Sequence, residues 1–136
     1  IRRQRQMCIR DSPVHIGFNQ KLAEKESVRA HKEVTDWNAV YAAYRDLKDE
    51  VIKLNTPDTI TDGIEPAVIE KNWQKIRDIV RSVPSAEEIR AAMKKAGCAM
   101  TNADISVSDE LRDLGLKYHP YMRRRLSLRR LANMID

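Results

Sequence analysis

Residues 85–101, SAEEIRAAMKKAGCAMT, are the stretch that decides the fold of this chain. Ser85 with Glu88 three positions later has the spacing of a capping box, in which each side chain satisfies a free backbone donor of the other residue. Gly97 stands where a residue in the left-handed conformation ends a helix. The stretch therefore predicts one short helix with a defined beginning and a defined end.

Two further segments follow towards the C-terminus. Ser108 is placed to cap a helix whose first turn carries Asp109 and Glu110, where the helix dipole favours negative charge, and Pro120 limits that helix. The last segment begins with YMRRRLSL at residues 121–128 and predicts an arginine-rich terminal helix. Its five arginines are Arg123, Arg124, Arg125, Arg129 and Arg130.

The arginine-rich segment has two interpretations. It is either a phosphate- or nucleic-acid-binding helix, or an end helix whose leucines pack inward while most arginines lie at the surface or pair with acids. The near balance of charge over the rest of the chain favours the second.

Upstream of Ser85 the periodicity of apolar residues predicts further helices. Asp36 is placed to cap a helix that continues to Leu54, and Pro66 fits the first turn of a helix that Pro84 closes. The first helix has the apolar stripe Trp37, Val40, Tyr41, Tyr44, Leu47, Val51 and Leu54, and the second has Val68, Ile69, Trp73, Ile76, Ile79, Val80 and Val83.

The remaining segments before Ser85 are less regular. Residues 55–63 are turn formers and predict a surface loop, and a helix is expected from about Phe18 to Ala30. With four glycines and strong helix formers throughout, the chain is predicted to be all-α.

The first residues do not fit this picture. The run from Arg2 to Ser12, RRQRQMCIRDS, resembles the translation of the transposon adapter DNA used in sequencing-library preparation. The alternative is a native basic arm or a targeting peptide. We expect residues 1–12 to be adapter-derived and residues 13–136 to be a partial helical C-terminal domain, so that Pro13 lies within a longer parent protein.

Composition excludes several classes of function. Without the four arginines and one aspartate of residues 1–12, the net charge of +5 falls to +2, which gives no electrostatic case for binding nucleic acid or a membrane. Cys98 is then the single cysteine, which fits a reducing cytoplasm. No run approaches the roughly 20 apolar residues of a membrane helix.

Isolated residues that could carry chemistry lack partners in the sequence. His15 has no metal-ligand spacing around it and is interpreted as a loop or core histidine, with metal ligation as the alternative. His31 lies in a polar run, and Cys98 is interpreted as a structural thiol and not as a nucleophile. The aromatic stripe that starts at Trp37 is interpreted as core, with a cofactor pocket as the alternative. We therefore assign no catalytic, cofactor-binding or metal-binding residue.

The packing and capping residues resemble those of a known family. Ser85 to Ile89, Lys95 to Thr101, Ile105 to Val107, and Tyr121 to Leu128 with Arg130 and Leu131 together resemble the C-terminal end of bacterial sn-glycerol-1-phosphate dehydrogenases, which belong to the superfamily of iron-containing alcohol dehydrogenases and dehydroquinate synthases. Asn72-Trp73, Ile76 and Ile79 to Arg81 are also similar, so the resemblance covers roughly Trp37 to the end.

The resemblance implies a cytoplasmic enzyme that transfers hydride between NAD(P)H and dihydroxyacetone phosphate. A divalent metal, either zinc, nickel or iron, would polarise the carbonyl, and a nucleotide-binding domain upstream would hold the cofactor. It also allows a homo-oligomeric parent. His119 has no role that can be carried over from the family, and neither has His15.

The sequence is thus interpreted as a fragment that is inactive alone and binds neither cofactor nor metal. The alternative is a small helical interaction module that binds an acidic partner or RNA through its arginine-rich end.

Overall fold

The computed structural model describes residues 2–136, with side chains from Ser12 onward, and within these residues it is all-α as predicted. The prediction that residues 1–12 are adapter-derived concerns residues whose side chains, except that of Ser12, lie outside the described part of the structure. The only β feature in the described part is an isolated antiparallel bridge between Ala30 and Ile135. The helices are α1 (Arg2–Leu22), α2 (Trp37–Ala43), α3 (Lys48–Asn55), α4 (Pro66–Arg81), α5 (Ala86–Lys95), α6 (Asp109–Tyr118) and α7 (Leu128–Leu131).

The described chain forms two compact units. The first unit combines the segment up to Glu26 with Lys75–Arg112, and the second combines Ser27–Gln74 with Asp113–Asp136. In the first unit, α1 packs against α5 and against the 3₁₀ turn Ala103–Ile105. In the second unit, a core of Val40, Val51 and Tyr121 is surrounded by the partly buried aromatic residues Trp37, Tyr41, Tyr44 and Tyr118.

The helix predicted from Phe18 to Ala30 is wrong at both ends, because α1 includes Pro13 and ends at Leu22. Beyond that point, backbone donors pair with the C-terminal segment of the second unit: the His31 amide donates to the Met134 carbonyl (2.8 Å) and the Val34 amide to the Asn133 carbonyl (3.1 Å). Residues 24–30 also offer few apolar side chains to bury, so tertiary pairing overrides helix propensity here.

The helix predicted from Asp36 to Leu54 is interrupted. Asp36 caps it as predicted, accepting from the Ala39 amide (3.0 Å). At Arg45, however, the backbone takes the left-handed conformation (φ 46°), and a 3₁₀ turn separates α2 from α3. The change of direction lets Val40 and Val51 share one core, while Leu47, which the single stripe would bury, is 48% exposed.

Helix α4 begins at Pro66 as predicted, but its buried face is narrower than the predicted stripe. Ile69 and Trp73 are buried, whereas Ile79 is 67% exposed. Arg77, which lies outside the predicted apolar stripe, is nevertheless buried, and its Nε donates to the Ala23 carbonyl (2.9 Å). That carbonyl lies just past the end of α1, where helices leave acceptors unsatisfied, so the guanidinium supplies a missing donor.

Both predicted ends of α5 are confirmed. The Ser85 side chain accepts from the Glu88 amide while the Glu88 carboxylate accepts from the Ser85 amide. Gly97 has φ +68°, and the Cys98 amide donates to the Met93 carbonyl (3.0 Å) across the end of the helix. This is the Schellman pattern, in which a residue without a side chain turns the chain and satisfies the last carbonyls.

Candidate functional site

His31 and His119 each contact the backbone carbonyl of a residue nearby in the chain. His31 Nδ1 donates to the Lys32 carbonyl (2.7 Å), and its Nε2 lies 3.5 Å from the Asp136 carboxylate. His119 Nδ1 donates to the Leu116 carbonyl (3.1 Å). His15 is partly buried in α1 and Cys98 is partly buried after α5. The contacts described for these residues do not form a catalytic arrangement.

The divalent metal and the NAD(P) cofactor that the family resemblance implies do not fit the described residues. No three His, Cys, Asp or Glu side chains from Ser12 onward are grouped as a metal ion would require. Residues 2–136 also form no β-sheet, and a dinucleotide site of the βαβ type needs one. No step of a hydride transfer can therefore be assigned to this part of the chain.

The predicted arginine-rich helix is much shorter than expected. After the 3₁₀ turn His119–Tyr121, residues 122–124 form a bend and residues 125–127 have no regular structure, so that the α-helix covers only Leu128–Leu131, followed by the 3₁₀ turn Ala132–Met134. The Ser127 side chain caps this helix by accepting from the Arg130 amide (3.2 Å). Arg124 pairs with Asp58 (2.5 Å) at the surface. The arginines consequently do not form a single cationic helix face of the kind that the RNA-binding alternative requires.

Arg130 has the most distinctive environment in the second unit, because its side chain is completely buried. Nε and Nη2 form a two-point ion pair with the Glu33 carboxylate, the second bond measuring 3.0 Å. Nη2 also donates to Thr59 Oγ1, and Nη1 donates to Asn55 Oδ1 (3.4 Å). Paired and hydrogen-bonded in this way, the charge is one that a protein interior tolerates.

Aromatic rings complete the surroundings of the guanidinium. Its central carbon lies 4.4 Å from the Tyr121 ring centroid and 5.2 Å from that of Trp37. The two rings meet edge to face, with centroids 5.5 Å apart. The distances from the guanidinium carbon to the two ring centroids are within the range of cation–π attraction. The aromatic residues at the start of α2 therefore serve as core, in agreement with the interpretation that we favoured, and they also pack against a buried cation.

The loop after α3 supplies the remaining partners: it is a largely exposed loop as predicted, but individual side chains of it are buried. Thr59 and Thr61 are buried, and the Thr61 hydroxyl donates to the second Glu33 oxygen (2.5 Å). Asn55 Nδ2 donates to the carbonyls of Val51 (2.8 Å) and Tyr121 (3.1 Å). Threonine and asparagine are turn formers, but here they are buried because they satisfy the Arg130–Glu33 pair.

Glu33 and Tyr44 of the second unit have shifted pKa values. Burial of Glu33 opposes its ionisation, but hydrogen bonds from Arg130 and Thr61 and the Arg130 charge together outweigh this, so the pKa of Glu33 lies below its ordinary value. Burial, with a smaller contribution from Tyr121, raises the pKa of Tyr44 to about 12. Its hydroxyl donates to the Tyr118 carbonyl (2.7 Å). Both groups thus remain in the protonation state that the fold requires at neutral pH.

The lowered pKa of Glu33 predicts a loss of stability in acid. Between the folded pKa and the higher unfolded pKa, the unfolded chain binds more protons, so the free energy of unfolding falls as the pH falls through that interval. We expect chemical denaturation at a series of pH values from 6 to 3 to show this fall. In Glu33→Gln, the free energy of unfolding should start from a lower value at pH 6 and should fall less steeply with pH. Glu50→Gln, at an exposed residue, should retain the wild-type profile. A wild-type profile in Glu33→Gln would contradict the assignment.

The cluster around Arg130 is therefore a structural element. Four donated hydrogen bonds occupy its guanidinium. The carboxylate that accepts from the Thr61 hydroxyl is also held by the Arg130 charge, and its lowered pKa makes it a weak base for activating a nucleophile. Within the described residues, no helix has the length and apolar character needed to cross a membrane.

Comparison of the chain with protein-family models, with curated proteins and with solved structures finds no match.

Proposed function

We propose that this chain is part of a metal- and NAD(P)-dependent dehydrogenase of the sn-glycerol-1-phosphate dehydrogenase type, to which it contributes helical structure and no catalytic group. The support for this proposal is the resemblance of its capping and packing residues to that family. The reaction of the whole enzyme would be hydride transfer between NAD(P)H and dihydroxyacetone phosphate. Both the cofactor and the metal would be held by residues outside the described part of this chain.

One observation carries the proposal further than the sequence pattern alone. Tyr121, Arg130 and Leu131 belong to the resembling C-terminal segment, and all three are buried. Ser85 and Gly97 belong to the upstream segments and form the two ends of α5. Part of the resemblance therefore falls on buried and helix-ending residues, as expected if a scaffold is what is shared with the family.

A chimera tests the proposal. Residues 37–136 replace the corresponding C-terminal region of an active bacterial sn-glycerol-1-phosphate dehydrogenase, and NADH oxidation is followed with dihydroxyacetone phosphate as substrate. We expect activity in the chimera, its retention on Arg123→Met, and its loss together with structure on Arg130→Met. A chimera that folds and binds NADH but shows no turnover would overturn the proposal.

The isolated chain supplies a second measurement. It should not reduce dihydroxyacetone phosphate, because no described residue provides the required chemistry. Retention of RNA by the isolated chain that weakens with salt and disappears in Arg123→Ala with Arg125→Ala would instead support an RNA-binding module and count against the dehydrogenase proposal.

A further inference from the structure

A pocket of about 430 Å³ lies within the first unit. Its volume falls in the range of roughly 300–1,000 Å³ that is usual for small-molecule sites. α1 contributes Pro13 and Val14 to its wall, α5 contributes Arg90 and Met93, and the loop after α5 contributes Met100. The wall is therefore apolar on several sides and carries a guanidinium on one helix.

The polar side chains Asn102, Asp109 and Arg112 of the lining are paired with one another. At the start of α6, the Asp109 carboxylate accepts from Asn102 Nδ2 (2.5 Å) and from Arg112 Nη1 (3.2 Å). One negative and one positive charge of the lining thereby offset each other. The remaining formal charge of the lining is that of Arg90, which gives the pocket a net charge of +1 from its described side chains.

Arg90 is the charged side chain of the lining whose partner is not already another residue of the pocket. It is exposed, and no side chain described from Ser12 onward forms an ion pair with it. It precedes Met93 by three residues on α5, so both side chains lie on one face of the helix. A guanidinium beside apolar surface suits a ligand with a carboxylate at one end, because the planar fork of donors matches the two carboxylate oxygens.

The loop that lines the pocket after α5 is held by hydrogen bonds to Asp104. The Asp104 carboxylate accepts from the amides of Met100 (2.9 Å) and Thr101 (2.8 Å), and the Asp104 amide donates to Thr101 Oγ1 (3.3 Å). The Met93 side chain is 6% exposed and the Met100 side chain 37%. Methionine side chains adapt to ligands of different shape, whereas the loop backbone that carries Met100 is fixed.

We propose that this pocket binds a small organic monocarboxylate with an apolar chain or ring, with Arg90 holding the carboxylate and Met93 and Met100 contacting the apolar part. A single uncompensated positive charge favours a monoanion over a phosphate monoester, which carries close to two negative charges at neutral pH. This ligand site is independent of the dehydrogenase proposal and can succeed or fail separately from it.

Titration of the full chain with 4-phenylbutyrate, followed by amide and methionine methyl NMR, tests the site. We expect saturable shifts at Met93, Met100 and residues 101–103. The uncharged analogue 4-phenylbutanol should bind the wild type about tenfold more weakly or worse, because it lacks the charge-assisted hydrogen bonds. This comparison needs no variant, so it does not depend on any substituted protein folding.

Arg90→Met supplies the matching protein variant, and Arg81→Met, at an exposed arginine outside the pocket, supplies the control. Arg90→Met should weaken the binding of 4-phenylbutyrate by about tenfold or more and leave the affinity for 4-phenylbutanol unchanged. Arg81→Met should change neither affinity. Equal affinity of the wild type for acid and alcohol, shifts outside the pocket, or wild-type affinity in Arg90→Met would each overturn the proposal.

Discussion

Replacing Arg130 by methionine is expected to lower the free energy of unfolding by about 3–5 kcal/mol. The substitution leaves the Glu33 carboxylate, whose side chain is 6% exposed, without its counter-charge. It also removes the donors that Thr59 and Asn55 accept from. Urea denaturation followed by tryptophan fluorescence measures the loss, since Trp37 lies against the guanidinium.

Arg124→Met is the matched control. Arg124 also forms an ion pair with an acid, but the side chains of Arg124 and Asp58 are 42% and 61% exposed. Exposed pairs contribute about 1 kcal/mol or less. Equal losses in Arg124→Met and Arg130→Met would show that burial of the Arg130 pair is not what makes it important.

The double variant Arg130→Met with Glu33→Met separates attraction from the cost of an unpaired charge. With both charges removed, no ion is left buried alone, so the double variant should be more stable than the sum of the single losses predicts. Strict additivity would mean that the two side chains are not energetically coupled.

Ile69→Ala on α4 is expected to lower the free energy of unfolding by about 2–5 kcal/mol, the range for truncating a buried isoleucine. Ile69 is 3% exposed. The same substitution at Ile79, which is 67% exposed, should change stability by no more than about 0.5 kcal/mol. The two substitutions are chemically identical and lie on one helix, so thermal unfolding of both variants tests the orientation of α4 directly. Similar losses would contradict the buried face observed here.

Local signals predicted what local interactions determine. The cap at Asp36 and both ends of α5 were predicted because each depends on residues within about one helical turn. The break at Arg45 was missed because the apolar period runs across it unchanged. What decides the break is the packing of Val40 and Val51 against Tyr121, and such a contact leaves no trace in the local pattern.

The burial of charged residues could not be predicted in the same way. Arg77 and Arg130 each occupy an interior position that periodicity would assign to an apolar or an exposed side chain. Their partners lie 54 residues away for Arg77 and 97 residues away for Arg130. A single sequence does not indicate which acid or carbonyl a distant arginine will meet, so the Glu33 cluster and the pocket beside Arg90 emerge only from the three-dimensional arrangement.

The pairing of Glu33 with Arg130 also constrains how the protein is made. During synthesis, Glu33 leaves the ribosome long before Arg130, and the bridge between Ala30 and Ile135 cannot form until still later. Closing so long a loop is entropically costly and slow. The second unit must therefore finish folding after translation of this segment, because until then Glu33 and the aromatic residues around Val40 and Val51 lack the partners that bury them.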